Sequence, residues 1–355
     1  MSSTHKGGQL YQEWPLEHLE QVENCPICGS QQRHLLHDSV RDLVFYCAPG
    51  KWTLYSCDVC RSAYLDPRPT RESIALAYSN YYTHGGSWRE AASSLSYMRR
   101  IKRALTNGYF NERFGTLYRP ATRLGWLLGH IAFWKRMELD ALGRHLPKDG
   151  NGFSLLDVGC GNGQFLEFAL AAGWRASGLD FDANAVAFCV DKGLDVQLGG
   201  IELFGDESEK FDWITLSHVI EHVHDPISLL IACRRLLRPN GCLWISTPNI
   251  DSQGHSRFGA DWRGLEPPRH LVIFSHRGLQ NALHEIGFDN VHNAPYQPTY
   301  RYIALKSRGI AERRDPCAHE HSNRFDLSSL LFDIWGWCFP LDREFITLIA
   351  RKSPS

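Results

Sequence analysis

Three groups of residues in this 355-residue chain have types and spacings that do chemistry. The first is a pair of C-x-x-C units, Cys25-Pro-Ile-Cys28 and Cys57-Asp-Val-Cys60. Four thiolates on two tight knuckles suit a tetrahedral zinc ion, and four protein ligands leave no open position for water, so the expected role is structural. Gly29 relaxes the first knuckle; Arg61 stands at the matching place in the second. Cys47 is a spare, expected as a small buried hydrophobe. The second group is Ser154 to Leu166, SLLDVGCGNGQFL. A short apolar run is cut by Gly159, Gly161 and Gly163, and a helical pattern follows, which predicts a buried strand, a tight turn and a helix. Free N–H groups at the helix start make a polar seat for a ligand. The third group is His218, Glu221, His222 and His224, delivered by a strand predicted over 212 to 217 to the sheet edge that carries ligands in open parallel sheets. Histidine titrates near neutrality and suits a proton acceptor. The spacing of His218 and His222 also fits a metal on a helix, and that alternative stays open at this point.

The glycine spacing narrows the ligand. A dinucleotide fingerprint needs Gly or Ala where this chain has Gln164, so that match fails. Asp157 precedes the first glycine, and Asp180 closes a second strand, Arg175 to Asp180, where a carboxylate accepts from ribose hydroxyls. No Lys or Arg lies in the loop, so a ribose-bearing cofactor without phosphates fits best. LLDVGCGNG, GLDFD, FDWITLSHVIEHVHDP and LLRPNGCLWISTPN occur in this order and together resemble class I S-adenosylmethionine-dependent methyltransferases from about Asn151 onward. The resemblance implies a Rossmann-like, doubly wound, mostly parallel seven-stranded α/β sheet. It implies cofactor contacts from Asp157, Gly159, Gly161, Gly163, Asp180, the Phe181 ring, Gly200, Ile201 and Ser217, with no general need for metal in catalysis. His222 is the first candidate base, His218 the second and His270 the third. His270 lies in a W…E-P-P-R-H element (Trp262, Glu266 to His270) that this subgroup places over the active site, where Arg269 is expected to hold an anionic substrate group.

The N-terminal features CPICG, a second C-x-x-C, DPRPT and Tyr81-Tyr82 resemble zinc modules attached to bacterial methyltransferases of sugar and secondary-metabolite pathways. The domain expectation is a leader over 1–20, a zinc-ribbon module over 21–66, a helical linker or lid over 67–150, and the methyltransferase domain over 151–355. Thr70 is expected to cap a helix carrying Ile74 and Tyr78. Within the third domain the sequence predicts a strand over 195–198, a helix over 183–192 capped by Asp182, and a helix to Ile286 capped by Ser275. Arg343 to Arg351 reads as a final antiparallel strand.

Composition sets the remaining bounds. Hydrophobic content of 43% is ordinary for a soluble protein, and a net charge of −1 gives no argument for nucleic acid as partner. No signal peptide or membrane-length apolar run is evident, and the eleven cysteines read as thiols or metal ligands, so a cytoplasmic location is expected. The apolar segments 124–134 and 327–341 are expected to pack, to pair two copies, or to touch a membrane shallowly. The expected activity is O-methylation of a sugar or other small-molecule hydroxyl. Sugar C-methylation, methylation of a quinone ring hydroxyl and a non-catalytic scaffold are the alternatives.

Overall fold

The computed structural model describes residues 13–78, 97–148, 150–313 and 327–354. Its strands are β1 (Leu19–Glu20), β2 (Arg33–Val40), β3 (Trp52–Cys57), β4 (Ala63–Leu65), β5 (Arg68–Pro69), β6 (Ser154–Val158), β7 (Arg175–Asp180), β8 (Asp195–Leu198), β9 (Phe211–Ser217), β10 (Leu237–Pro248), β11 (Val272–Ile273), β12 (Phe288–Asn293) and β13 (Phe345–Lys352). The helices are α1 (Tyr97–Phe114), α2 (Gly125–Ile131), α3 (Phe133–Leu142), α4 (Gln164–Ala171), α5 (Ala183–Asp191), α6 (Pro226–Leu236), α7 (Gln253–Phe258), α8 (His276–Ile286), α9 (Tyr300–Ala311) and α10 (Leu327–Cys338).

Seven strands form one sheet in the order β12-β13-β10-β9-β6-β7-β8. The five from β10 to β8 run parallel, and β13 enters antiparallel between β10 and β12. Side chains alternate along a strand, and here each alternate set is buried. Leu156, Ile214 and Leu243 belong to one apolar cluster, while their neighbours Leu155, Trp213 and Cys242 belong to another. The α/β architecture is therefore the one expected, with both faces covered. β7 and β8 occupy the residues expected for them. Asp182, Asp225 and Ser275 cap α5, α6 and α8 by accepting from first-turn N–H groups.

The N-terminal residues build a second sheet, β11-β4-β3-β2, antiparallel throughout. Its edge strand β11 comes from more than 200 residues downstream, starting two residues past His270. The larger apolar cluster runs without a break from Trp14, Trp52 and Tyr64 into Leu216, Ile245 and Phe288. One local expectation is corrected. Ile74–Tyr78 is a 3-10 turn, with Thr70 contributing its main-chain carbonyl to the amides of Ser73 and Ile74. The apolar run 124–134 is two helices interrupted at Ala132, and it leaves Trp126 and Ile131 exposed. Tyr81 and Tyr82 lie outside the described residues. No helix among the described residues is long and apolar enough to cross a membrane.

Candidate functional site

The glycine turn after β6 is shaped by its backbone. Gly159, Gly161 and Gly163 have φ of +73°, +54° and +74°, a region that side chains disfavour. The amides of Gly159 and Cys160 donate to the Leu179 carbonyl at 2.8 and 3.0 Å, tying the turn to the end of β7. Asp180 is the meeting point of three loops. Its carboxylate accepts from Gly161 N at 2.7 Å and Asp182 N at 2.9 Å, and its carbonyl accepts from Gly199 N at 2.9 Å. Each carboxylate oxygen retains a second lone pair. Phe181 is exposed, with its ring tip 2.6 Å from where a Cβ on Gly200 would stand, so a side chain at that position would push the ring aside. Ile201, the next residue after Gly200, is buried.

Asp157 lies wholly buried under the turn. Its Oδ1 accepts from Thr215 Oγ1 at 2.8 Å and from the Arg144 guanidinium, while Oδ2 has no partner among the described residues. Burial outweighs the Arg144 charge and pushes this carboxyl up. Arg144, on the segment before β6, also stacks 3.9 Å over Phe165. Sequence reasoning missed it because nothing local marks a residue whose partners lie on β6 and β9.

The histidine turn sits against the glycine turn: a Cβ on Gly159 would come within 2.5 Å of Val219 Cγ2. His218 follows Ser217 at φ +54°, with its amide on the Ser246 carbonyl at 2.9 Å. Its Nδ1 is 3.2 Å from Glu221 Oε1, and its exposed ring packs edge-on to Phe345. Glu221 is wholly buried, and Thr247 Oγ1 donates to its Oε2 at 2.9 Å. Burial alone raises this carboxyl, but the His218 hydrogen bond and the neighbouring His218, His222 and His270 hold it at about 2. His222 Nδ1 is 3.0 Å from the Arg269 carbonyl, with Tyr78 Oη at 3.2 Å. His270 Nδ1 is 2.7 Å from the Gly264 carbonyl. A carbonyl only accepts, so both rings are assigned as Nδ1–H tautomers that keep the lone pair on Nε2. The two rings pack at 4.8 Å. Burial pushes His222 down and His270 well down from the ordinary histidine value.

The structure thus brings His218, His222 and His270 together beside the glycine turn, with Ser217 at its rim. His224 is turned away, its Nε2 on the Pro69 carbonyl at 2.9 Å. Arg269 departs from expectation. It is fully buried with its fork on Asp42, so it has no free face for a substrate anion.

Two sets have metal-ligand chemistry. Glu221, His222 and His270 offer atoms within 4.8 Å of one another, but both Glu221 oxygens are already held by His218 and Thr247. The Sγ atoms of Cys25, Cys28, Cys57 and Cys60 also lie within 4.8 Å of one another, with 3.6 Å between Cys25 and Cys60 and 3.5 Å between Cys28 and Cys57. A tetrahedron of Zn–S bonds of about 2.3 Å has an edge of about 3.8 Å, so this donor set fits zinc. Cys47 is buried, with its Sγ 3.3 Å from the Ala77 carbonyl.

Residues 127–293 match the family model described as a methyltransferase domain. These residues supply six strands of the large sheet and the glycine turn, and with β13 they form a class I S-adenosylmethionine-dependent methyltransferase domain. The chain is similar to the ubiquinone biosynthesis O-methyltransferase of Histophilus somni, at 36% identity over 120 residues covering 30% of this chain and 50% of that protein. It is also similar to the enzyme of the same description from Pseudomonas putida, at 28% identity over 171 residues covering 44% of this chain and 74% of that one. The chain spans about half the length of the first curated relatives it matches. Among solved structures, a SAM dependent methyltransferase from Archaeoglobus fulgidus is 22% identical, covers 63% of this chain and 99% of its own, and gives a TM-score of 0.42.

Proposed function

We propose that this protein methylates a hydroxyl of a small molecule, with a sugar as the first acceptor class and His222 as the base. The carrying observation is the setting of His222: a tautomer fixed by the Arg269 carbonyl, beside the ionised Glu221, on a turn that rests on Gly159. S-adenosylmethionine, when bound, supplies a methyl group already activated by its sulfonium. The chain's own residues do the rest. Gly161 leaves the turn open, Asp180 and the Phe181–Gly200 contact frame a nucleoside seat, and Asp157 Oδ2 is a buried acceptor suited to an ammonium group. His222 Nε2 takes the hydroxyl proton, and the Glu221 carboxylate stabilises the imidazolium that results. We also propose that Cys25, Cys28, Cys57 and Cys60 hold one structural zinc.

His222→Ala is expected to lower turnover by about 10²–10⁴-fold while leaving S-adenosylmethionine affinity near wild type in calorimetry. Equal loss of binding would make His222 structural. The 3.2 Å His218–Glu221 pair favours a second reading, in which the more exposed His218 is the base; then His218→Ala, not His222→Ala, is the inactive variant. The acceptor is tested by offering labelled S-adenosylmethionine with nucleotide sugars, glycan fragments and quinol precursors. Label only in the quinol fraction would replace the sugar by a ring hydroxyl, the acceptor that the names of the relatives support.

A further inference from the structure

The segment from Arg269 to Ile273 is held from two sides. On the catalytic side, the Arg269 carbonyl accepts from His222 Nδ1 at 3.0 Å, and Leu271 N donates to the Glu221 carbonyl at 2.8 Å. On the N-terminal side, Leu65 N donates to the Leu271 carbonyl at 3.1 Å, and Val272 and Ile273 pair with Tyr64 and Ala63. The strongest link is the side chain of Arg269. Its Nη2 lies 2.7 Å from Asp42 Oδ1 and its Nη1 3.1 Å from Oδ2, a two-pronged ion pair in which both residues are fully buried. Nη1 also donates to the Ala77 carbonyl at 3.1 Å, and the guanidinium stacks 4.6 Å over Phe45.

Asp42 is itself fixed by the N-terminal chain. Its Oδ1 accepts from the amides of Val44 (3.3 Å) and Phe45 (3.1 Å), and its Oδ2 from those of Cys47 (3.0 Å) and Ala48 (3.1 Å). Four backbone donors aim the carboxylate, the carboxylate aims the guanidinium, and one residue's backbone carries the position on to the imidazole. Any slack in Arg269 moves the carbonyl that sets the His222 tautomer. With Nε2 protonated instead, the ring presents a donor where a base needs a lone pair.

We infer that Asp42 is a positioning residue for the methyl-transfer step: through its buried pair with Arg269 it holds the carbonyl that keeps His222 in the Nδ1–H form. The inference rests on His222 as the base. It also makes the N-terminal module a working part of the active site.

The test reads the imidazole directly and needs no acceptor. Protein labelled with 15N-histidine is saturated with S-adenosylhomocysteine, and long-range 1H–15N spectra report the His222 tautomer, assigned by the signal lost in His222→Gln. Wild type is expected as Nδ1–H. Asp42→Asn, and the milder Arg269→Lys that keeps the charge but loses the fork, are expected to populate Nε2–H or exchange between forms. Their affinity for S-adenosylhomocysteine is expected to stay within about twofold of wild type, since no residue of the glycine turn is touched. An Nε2–H signal in wild type overturns the inference whether or not any variant folds. So does an unchanged His222 signal in a folded variant. Unfolding of both variants overturns it too, since Asp42 would then support the fold and not the histidine. Failure of the base assignment shows separately, as turnover retained by His222→Ala with the tautomer still Nδ1–H.

Discussion

Gly161 and Gly193 share a backbone conformation but not a neighbourhood. Their φ values are +54° and +76°, and at neither would a Cβ meet another atom within 4 Å. Alanine at either position carries a similar strain of about 1–2 kcal/mol. Gly161, however, donates its amide to Asp180 in the glycine turn, whereas the Gly193 amide donates to the Val190 carbonyl at the end of α5. Gly161→Ala is therefore expected to weaken S-adenosylmethionine binding by about tenfold or more, roughly 1.4 kcal/mol, and Gly193→Ala to leave it unchanged, with similar losses in melting temperature. Calorimetry on the pair separates strain from contact. Equal affinity in both would place the cofactor elsewhere. Gly159 is a different case, because its Cβ would push on Val219 and so on the turn carrying His218 and His222.

At the scale of elements, the stretch 252–270 is pinned by a residue from the far end of the chain. Glu344, next to β13, accepts from Gly254 N at 2.7 Å and from Trp262 Nε1 at 3.0 Å. Burial raises its carboxyl to about 7 against these donors. Since the folded value lies above the unfolded 4.5, the folded protein holds a proton that the unfolded chain releases. That contribution is complete below pH 4.5 and is lost as pH rises through about 7. Glu344→Gln cannot titrate, so its stability relative to wild type is expected to climb across this window by about 3 kcal/mol and then level off. Urea melts at pH 5, 6, 7 and 8 check it; a difference independent of pH would mean that Glu344 is already ionised. Nothing in the sequence marks Glu344, since it sits 90 residues from Gly254. The same limit explains Arg269. Its motif was legible, yet the partner that decides its role, Asp42, is 227 residues away. By contrast, β6 to β9 and the caps Asp182, Asp225 and Ser275 are written in local patterns: alternating apolar residues, glycines at turns, and a side-chain oxygen three residues ahead of a free amide. β11 escaped because two residues of edge strand have no periodicity to read.

At the scale of the whole molecule, the four-cysteine knuckles are not an appendage. The Cys60 carbonyl accepts from Ser275 Oγ at 2.5 Å, and that same hydroxyl caps α8 by accepting from Gly278 N at 2.8 Å. A Cβ on Gly278 would meet Ser62 Oγ at 2.4 Å, so the second knuckle lies directly on the first turn of α8. Cys25, Cys57 and Cys60 are buried in the apolar cluster that continues under the central sheet. Four thiolates forced together without a cation repel, and a metal bound only by the folded state adds its binding free energy to folding. If the four cysteines hold zinc as proposed, treating the purified protein with a chelator, or replacing the exposed cysteine in Cys28→Ser, is expected to release about one zinc per chain and to lower the melting temperature of the entire chain in a single transition, by about 5 °C or more. Methyl transfer is expected to fail before cofactor affinity does, because β11 and Arg269 tie the knuckles to His222 and His270, whereas the glycine turn is built on β6 and β7. Calorimetric scanning with and without chelator reads the first part and titration with S-adenosylmethionine the second. A metal-free protein that melts in two steps, with the cofactor-binding step unmoved, would separate the two sheets energetically and reduce the four-cysteine module to a neighbour of the active site.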